Sequence, residues 1–507
     1  MLTPDFLDGI AEPLVELWAK VERDIIADIV RRLIQADYLT PSAKWQVVKA
    51  RELGTTQAEV ARRVARGSAR SEGTVKRLVE NASAESLGVS AAQFRKAGLD
   101  TAPLEGSAAM QRIIATGVKQ TNGLMRNITR TLATTASKAF ENCLDEAWLQ
   151  VSSGAFSLGQ ALRTLVRDLA GQGITKVAYP SGHADTTDVA ARRAVITGVN
   201  HTAGEIQLQA AKDMDTDLVQ VSSHPGARPS HAVWQGGIYS ISGKSDKYKP
   251  FLETTGYGTG PGLCGWNCRH SFYPFVEGVS EPSFDRDPSQ TQYGKSNDQM
   301  YEESQRQREL ERRIRASKRE CTALDAARDA SKDPAERANF EAEFAKASKL
   351  LKQREAKLNT FCEDTGRKKL VDRVQVEGYN RSVSGKVVAV NKPEMKRSAA
   401  RDAIRPLVGK NHTVHIPPQA INISELSYDA AHVNDERMRG ITAEEAKSFI
   451  DNAVVSIGVW GSYERYISEA GAAYVNLDKS IIRTAFRSAD YTDANKKILE
   501  EVKKYGI

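Results

Sequence analysis

The stretch from His224 to Phe275 constrains the fold more than any other part of this sequence. It begins HPGARPSHAVWQGG and ends GYGTGPGLCGWNCRHSFYPF, so histidine, cysteine and tryptophan, which are scarce elsewhere, are concentrated here. Glycine and proline interrupt every run of residues, which excludes a continuous helix. We therefore predict a rigid set of turns held by packed aromatic side chains, with polar groups that point at a specific target.

Two chemical interpretations fit the histidines and cysteines of this stretch. His231, Cys264, Cys268 and His270 carry the imidazole and thiolate groups that zinc prefers. Their spacing argues against zinc, because the two cysteines are four residues apart and no second CxxC is present. The alternative is a loop without metal, in which reduced cysteines act as small apolar residues and the histidines bond to backbone. The sequence favours this alternative, so neither a metal nor another cofactor is expected.

The same motif words resemble those of the phage minor capsid family, which is found beside the portal gene in phages and prophages of Gram-positive bacteria. The resemblance runs from about the first helix to Arg373. The motif residues that carry it are His224, Arg228, His231, Trp234, Cys264, Trp266, Asn267, Cys268, Arg269 and His270. It implies a few copies per virion, inside or at the portal vertex of the head, with the portal protein and other capsid proteins as partners. It does not imply an enzyme.

Length and composition are those of a multidomain protein. At 507 residues the chain exceeds the usual size of one domain. Its formal net charge of +7 permits contact with nucleic acid without requiring it. Five cysteines, an odd number, do not form a disulfide framework and fit assembly in a reducing host cytoplasm. The N-terminus lacks a signal-peptide pattern, and no uncharged apolar run reaches membrane-spanning length.

Helical periodicity dominates the N-terminal half, so residues 1–149 are predicted to be a helical region. Residues 12–36 are predicted to form an amphipathic helix. Its apolar stripe comprises Leu14, Trp18, Val21, Ile25, Ile29 and Leu33. Packing on its own domain explains this stripe better than docking on another subunit.

Mixed structure and then helices follow this region. Residues 150–280 are predicted to be an α+β core, which contains the histidine and cysteine motif. The polar, proline-bearing residues 281–300 are typical of a linker. Residues 301–365 are predicted to form a hairpin of two long charged helices, with Asp333 as the cap of the second helix. The apolar residues predicted to face each other across the hairpin are Leu310, Ile314 and Leu324 on the first helix and Phe340, Phe344 and Leu351 on the second. Residues 366–391 are predicted to be a connecting segment with a strand at 385–390.

The last part of the chain, residues 392–507, is predicted to be a small α+β domain. Thr442 and Glu445 have the spacing of a capping box and predict the start of a helix. Apolar runs predict strands, and the last polar periodic run predicts a helix. The predicted strands cover residues 411–416, 454–459, 472–476 and 480–486, and the last helix covers 493–505. This order predicts an antiparallel sheet with helices before and after its meander.

Polar residues in this last domain suggest chemistry on RNA. His432 precedes the capped helix, and Arg483 and Thr484 interrupt an apolar strand, where a charge usually needs a partner or a task. RNA is cleaved without metal when a base takes the proton of the 2′-hydroxyl and cations stabilise the phosphorane. Histidine suits the first role near neutral pH, and arginine suits the second.

His432 with Arg437 and the terminal IIRTAF strand resemble a phage-associated nuclease family, in the BECR group of barnase, EndoU, colicin and RelE-like RNases. The resemblance covers only the last quarter of the chain. It implies His432 as base or acid, with Arg437, Arg483 and Thr484 at the phosphate. It leaves secondary roles to Arg439, Tyr463 and Tyr466. The alternative is a binding or assembly module without catalysis, in which His432 caps a helix and Arg483 pairs with an acidic neighbour.

Overall fold

The computed structural model describes residues 2–34, 44–96, 98, 107–152, 158–172, 176–179, 184–409 and 411–506. The chain forms two compact units, Met1–Ser384 and Gly385–Ile507. The boundary that the sequence suggests at residue 392 falls inside one helix, Arg381–Val408.

Long helices form most of the first unit. They are α1 (Pro4–Ile10), α2 (Glu12–Ile34), α3 (Lys44–Lys96), α4 (Ala108–Ser152) and α5 (Leu158–Gln172). The six stripe residues of α2 are all buried in the chain by itself, so the predicted packing of this helix on its own domain is confirmed. None of the helices in the described ranges is both long and apolar enough to cross a membrane.

A mixed region completes the centre of the first unit. Its elements are β1 (Lys176–Ala178), β2 (Ala184–Thr186), α6 (Thr187–Asp213), β3 (Leu218–Val221), α7 (Pro229–Ala232), β4 (Ile238–Ser240), α8 (Phe251–Thr255) and β5 (Phe272–Phe275). Strand β3 lies between β4 and β5 and pairs antiparallel with both. Val219, Phe251 and Phe272 belong to one buried cluster, which anchors both ends of the loop between α8 and β5.

Two long helices form the predicted hairpin. After α9 (Pro288–Tyr293), α10 covers Asn297–Ala330 and α11 covers Pro334–Thr365. The Asp333 carboxylate accepts the N–H of Ala335 at 2.9 Å, which caps α11 at the predicted residue. The residues predicted to face each other are all buried: Leu310, Ile314, Leu324, Phe340, Phe344 and Leu351. The segment 281–300 contains α9 and the start of α10.

The second unit is a six-stranded sheet with helices. Its elements are α12 (Arg381–Val408), β6 (Thr413–His415), β7 (Ser427–Tyr428), a π-helix (Ala431–Glu436), α13 (Ala443–Asp451), β8 (Val455–Trp460), β9 (Tyr463–Ile467), β10 (Gly471–Asn476), β11 (Ile481–Arg487) and α14 (Asp493–Lys504). The strand order is β6-β8-β9-β10-β11-β7. The predicted antiparallel sheet is only partly right, because β7 pairs parallel with β11 and makes the sheet mixed.

One prediction for this unit is wrong, and one strand was not predicted. The strand predicted at residues 385–390 is wrong, because these residues lie in α12. The buried residues Val387 and Asn391 are four positions apart, which is the spacing of one helix face. Strand β9 was missed, because its polar sequence Tyr-Glu-Arg-Tyr shows no run of apolar residues.

Hydrophobic clusters lie on both faces of the C-terminal sheet. One cluster joins Phe449 of α13 to Ala473 and Ala485 of the strands. The other contains Ile404 of α12 and Ile498 of α14. Both faces of the sheet are therefore covered by apolar side chains.

Candidate functional sites

Close backbone contacts shape the loop between α8 and β5. A Cβ atom on Gly262 would lie 2.0 Å from the carbonyl oxygen of Gly256, and one on Gly265 would lie 2.2 Å from that of Gly260. Cys264 has a φ of 59°, a region that residues other than glycine rarely adopt. This tight path explains why the motif is so rich in glycine.

This loop and α7 together bring three of the four zinc-type residues close to one another. The Sγ atom of Cys268 lies 3.8 Å from Nδ1 of His231 and 3.7 Å from Nδ1 of His270. All three residues are buried, and these atoms lie within 4.8 Å of one another. Cys264 does not join them in the same way, because its Sγ contacts the carbonyl oxygen of His270 at 3.8 Å. The structure thus separates two cysteines that the sequence treated as equivalent.

The outer nitrogens of both rings have partners of their own. Nε2 of His231 lies 2.8 Å from the carbonyl oxygen of Pro261. Nε2 of His270 lies 3.1 Å from Oε1 of Gln235, and the same oxygen accepts the N–H of His224 at 3.1 Å. Gln235 follows Trp234 in the motif, but sequence reasoning did not include it among the functional residues.

Burial controls the protonation of the histidines and cysteines in the stretch from His224 to Phe275. It lowers the pKa of His224 to about 4 and holds the pKa of His270 well below 6.5. Burial also lowers the pKa of His231, and it raises the pKa of the thiols of Cys264 and Cys268. The imidazoles are therefore neutral at pH 7 and offer lone pairs rather than positive charge.

Asn200 of α6 fixes the backbone of the loop, although the sequence did not identify it as a site residue. It is fully buried, and its Nδ2 donates to the carbonyl oxygens of Cys268 at 3.1 Å and His270 at 2.9 Å. The available signal was an amide side chain beside Ile196, Ala203 and Gly204, which lie one helical turn away.

Aromatic rings enclose the histidines. The Trp234 ring lies 4.5 Å from the ring of His231 and 4.9 Å from that of His270, measured between centroids. The His224 ring lies 4.3 Å from the His270 ring. Trp266 differs, since it is 55% exposed and belongs to the surface of the motif. The rings next to Cys268 are therefore held by packing as well as by hydrogen bonds.

The remaining motif residues tie the loop to its surroundings. Arg228 donates from Nη2 to the carbonyl oxygen of Trp266 at 3.3 Å. Arg269 donates from Nε to Oδ1 of Asp8 in α1 at 2.9 Å. Asn267 adopts a φ of 53°, which asparagine tolerates better than most residues. These three residues serve the shape and attachment of the loop.

A cavity of about 870 Å³ lies in the first unit beside Asp8. Nine arginines line it: Arg23, Arg192, Arg193, Arg269, Arg308, Arg312, Arg315, Arg319 and Arg373. Acidic residues in the same wall offset them: Arg373 donates to Asp8 at 2.7 Å, and Arg192 donates to Glu12 at 2.6 Å. Because the wall carries both signs of charge, it does not by itself indicate an anionic ligand.

His432 lies on the π-helix that packs against β11, and such helices are frequent at functional sites. Its Nδ1 lies 2.6 Å from Oε2 of Glu436. Its backbone N–H donates to Oδ1 of Asp429 at 3.1 Å. The His432 side chain is 16% exposed and that of Glu436 is 62% exposed. Glu436 thus holds one ring nitrogen and leaves Nε2 for another partner.

Arg483 lies at an irregularity of β11. The pairing with β10 shifts register between Ile482 and Thr484, so Arg483 has no directly opposite residue. Bulges of this kind redirect a side chain. Its guanidinium forms an ion pair with Asp429, and its side chain remains 46% exposed. The alternative that gave Arg483 an acidic neighbour described this contact correctly.

Thr484 has a different partner from Arg483. Its hydroxyl oxygen accepts from Nη1 of Arg439 at 3.2 Å, and the same nitrogen donates to the carbonyl oxygen of Ala485 at 2.9 Å. The Arg439 guanidinium also lies 4.9 Å from the centroid of the Phe486 ring. Arg439, a secondary candidate by sequence, therefore positions Thr484.

The side chains of the other candidate residues form no hydrogen bond with His432, Arg483 or Thr484 in the described part of the chain. Arg437 is exposed, and its side chain makes no hydrogen bond or ion pair within the described part of the chain. Tyr466 is buried and donates its hydroxyl to the carbonyl oxygen of Gln419 at 2.9 Å. The Tyr463 ring packs 5.9 Å from Trp460. The structure thus joins His432 to Arg483 through Asp429, without a direct contact between the two.

A second histidine and carboxylate pair lies in the second unit, within its sheet. Nδ1 of His415 on β6 lies 2.8 Å from Oε1 of the buried Glu464 on β9. Strands β6 and β7 form the two edges of the sheet, so His415 lies at the edge opposite β7. Sequence reasoning missed this pair because it missed β9.

Comparison with known proteins shows that the chain resembles a phage structural protein and that it belongs to a phage family. A protein of Lactococcus phage LL-H, described as "Structural protein", is 29% identical over 151 residues, which are 29% of this chain and 40% of that relative. The chain therefore spans less than half of the relative's length. The family model described as "Phage minor capsid protein 2" matches residues 2–363. The chain belongs to this phage minor capsid family, as the motif resemblance predicted. No solved structure matches it.

Family membership supports a virion location. The family match ends at residue 363, so it does not extend to the second unit.

Proposed function

We propose that this minor capsid protein lies at the portal vertex of the phage head in a few copies, and that its second unit is a metal-independent endoribonuclease. The family match supports the structural role of the first unit. The observation that carries the nuclease proposal is Asp429, which accepts the backbone N–H of His432 and binds the guanidinium of Arg483. A base and a cation are thereby held at one partly exposed site.

The chemistry follows from these positions. Glu436 accepts the proton of Nδ1, so Nε2 of His432 is the nitrogen that takes the proton from the 2′-hydroxyl. The 2′-oxygen then attacks phosphorus, and the bond to the 5′-oxygen breaks. Water protonates the leaving 5′-oxygen, and the products are a 2′,3′-cyclic phosphate and a 5′-hydroxyl end. Arg483 and Arg437 stabilise the phosphorane through charged hydrogen bonds, and Thr484 adds one neutral donor.

The second candidate function is a binding or assembly module without catalysis. Its support is that Arg483 and Thr484 each have an internal partner, Asp429 and Arg439. In that case the cluster holds the edge of the sheet for contact with another virion protein. The two functions differ in whether the unit turns over RNA.

Cleavage by the full chain decides between them. We expect the purified protein to cut RNA in the presence of a strong chelator, to leave 2′,3′-cyclic phosphate ends and to spare DNA. His432→Ala should lower the rate by about a hundred- to ten-thousandfold. His415→Gln is the control, because it changes another histidine bound to a glutamate in the same unit, keeps a hydrogen-bond donor for the buried Glu464 and should leave the rate unchanged.

Three results would contradict the nuclease proposal. They are a requirement for magnesium, equal cleavage of DNA, and activity that survives His432→Ala. Absence of any cleavage by a folded protein would favour the assembly module.

The position in the virion has its own test. Purified heads and precursor heads should contain the chain in low copy number, and chemical cross-linking should join it to the portal protein. Absence of the chain from both kinds of particle would reject this part of the proposal.

A further inference from the structure

We propose that His231, Cys268 and His270 form a zinc site in the first unit, with Nδ1, Sγ and Nδ1 as the three protein ligands. This reverses the preference for a metal-free loop that the spacing of the cysteines suggested. The reason is that the spatial arrangement pairs one thiol with two imidazoles, which the one-dimensional spacing could not show.

The distances fit a tetrahedral zinc ion. Zinc lies about 2.3 Å from sulfur and about 2.0–2.1 Å from imidazole nitrogen, so tetrahedral ligands of these two kinds lie about 3.6 Å apart. Cys268 Sγ lies 3.8 Å from His231 Nδ1 and 3.7 Å from His270 Nδ1. All three ligand atoms lie within 4.8 Å of one another, and rotation of the two imidazole rings about their side-chain bonds would bring both nitrogens to one ion.

Hydrogen bonds at the outer nitrogens set the tautomer of each ring. Nε2 of His231 faces the carbonyl oxygen of Pro261, an acceptor only, so it must carry the proton. The Gln235 amide is oriented by its other contacts, because Oε1 accepts the N–H of His224 and Nε2 donates to the carbonyl oxygen of Arg286 at 3.4 Å. Its oxygen therefore faces His270, whose Nε2 is also protonated.

Both Nδ1 atoms consequently present lone pairs to the same sulfur. The Cys268 thiol has one hydrogen and can donate to only one of them. The other lone pair would be left facing sulfur in a buried position, which is costly for a polar group. A cation bound by a thiolate and two neutral imidazoles satisfies all three atoms at once.

The ligand set and its surroundings favour zinc over harder cations. Thiolate and imidazole suit zinc, whereas magnesium and calcium prefer oxygen ligands. Metal-binding histidines commonly donate their other N–H to a carbonyl or similar acceptor, as Pro261 and Gln235 accept here. The fourth position is left to a non-protein ligand such as water.

The three ligands come from separate segments of the motif. His231 lies on α7, Cys268 in the loop after α8, and His270 two residues before β5. A shared ion would clip these segments together and fix the surface that carries Trp266. The ion would hold these segments together, and the site is independent of the proposed nuclease in the second unit.

Metal content of the purified full chain tests the site. We expect about one zinc per chain after exhaustive dialysis, since tight structural sites retain their ion. Cys268→Ser should lose the zinc. Cys264→Ser is the matched control, because it makes the same change in the same buried loop at a thiol outside the ligand set, and it should keep the zinc.

Cobalt provides a second readout that reports on the ligands directly. Cobalt-loaded wild-type protein and Cys264→Ser should show the absorption of tetrahedral cobalt together with a thiolate charge-transfer band. Cys268→Ser should lack that band. Wild-type protein without zinc that also fails to take up zinc or cobalt would overturn the site. Loss of metal from both serine variants, with each still folded by circular dichroism, would overturn the three-ligand assignment.

Discussion

The two histidine clusters of this protein differ most in their access to solvent. In the first unit, His231 and His270 are buried, neutral and bonded through their outer nitrogens to fixed acceptors. In the second unit, His432 and Arg483 lie at a partly exposed surface, and each is bonded to a carboxylate. Buried rings with fixed tautomers suit a permanent structural role, whereas rings that keep a free nitrogen near solvent suit proton transfer.

The difference extends to energetics. Burial of aromatic rings and of satisfied polar groups supplies stability in the central loop of the first unit. Exposed ion pairs contribute little to stability, so the pair of Arg483 with Asp429 is poorly explained as a stabilising contact. We therefore expect changes in the loop to affect folding and changes in the cluster around His432 to affect chemistry.

Among the changes that test this comparison, Phe272→Ala should have the largest effect, and this effect is on stability. Phe272 is fully buried on β5, and its ring packs 4.8 Å from that of Phe251 between centroids. Loss of such a ring typically costs about 3–5 kcal/mol of stability. Urea unfolding of the full chain should show this loss in the transition of the first unit, while RNA cleavage at low urea is unchanged.

Val233→Ala is the control for Phe272→Ala, because Val233 belongs to the same motif but is 79% exposed. Its effect should remain within about 0.5 kcal/mol. If both variants lower the free energy of unfolding equally, the buried cluster that contains Phe272 does not anchor the loop.

Arg483→Ala should have the next largest effect, and it should change only the rate of RNA cleavage. Removal of one donor to a developing negative charge typically lowers kcat by about a hundred- to a thousandfold. Arg487→Ala is the matched control, since Arg487 lies on the same strand, is similarly exposed and is bound by Glu445. Steady-state cleavage by both variants should show a loss for Arg483→Ala only. Equal rates would reject a role for Arg483 at the phosphate.

Asp8→Asn should have a smaller effect, on stability and its pH dependence. Burial raises the pKa of the Asp8 carboxyl, but Arg269 and Arg373 overcome this and hold the pKa below 3.8. A carboxyl whose pKa is lowered by folding contributes stability above the unfolded pKa and loses it as the pH falls through the folded value. Asp8→Asn should therefore cost about 1–3 kcal/mol at pH 7.

Urea unfolding of the wild type and Asp8→Asn at pH 7 and at pH values below 4 measures this contribution. The difference between the two proteins should shrink on acidification. A difference that is the same at every pH would show that shape, rather than the charge of Asp8, matters at this contact.

The smallest expected effect is that of Asp429→Asn. In the proposed mechanism Asp429 orients Arg483 without taking part in the reaction, so cleavage should fall less than in Arg483→Ala, and the unfolding midpoint should not change. A fall as large as that of His432→Ala would give Asp429 a direct role in proton transfer.

Periodicity and local motifs predicted much of the fold. The stripe of α2, the capped hairpin and the start of α13 at Thr442 all follow from spacing along the chain, because helix faces and caps are set by residues within one or two turns. The side chain of Thr442 accepts the N–H of Glu445 at 3.1 Å, as the capping box predicted. The predictions failed in segments where local sequence patterns conflict with packing against distant residues.

Strand β9 and helix α12 illustrate that conflict. In β9, Glu464 is buried because His415 of another strand pairs with it, and this partner lies 49 residues away in sequence. In α12, a run of β-branched residues suggested a strand, but burial of Ala400 and Ile404 against the sheet favours a helix. Tertiary contacts overrode local preference at both places.

The sequence by itself determined the family motif, the helical scaffold and the residue types available for chemistry. Only the tertiary structure decided which of two cysteines faces the histidines, how Gln235 sets the ring of His270, and that Asp429 links His432 to Arg483. The physical reason is that hydrogen bonds and ligand distances depend on side-chain directions between segments far apart in the chain. Spacing along the sequence carries no information about those directions.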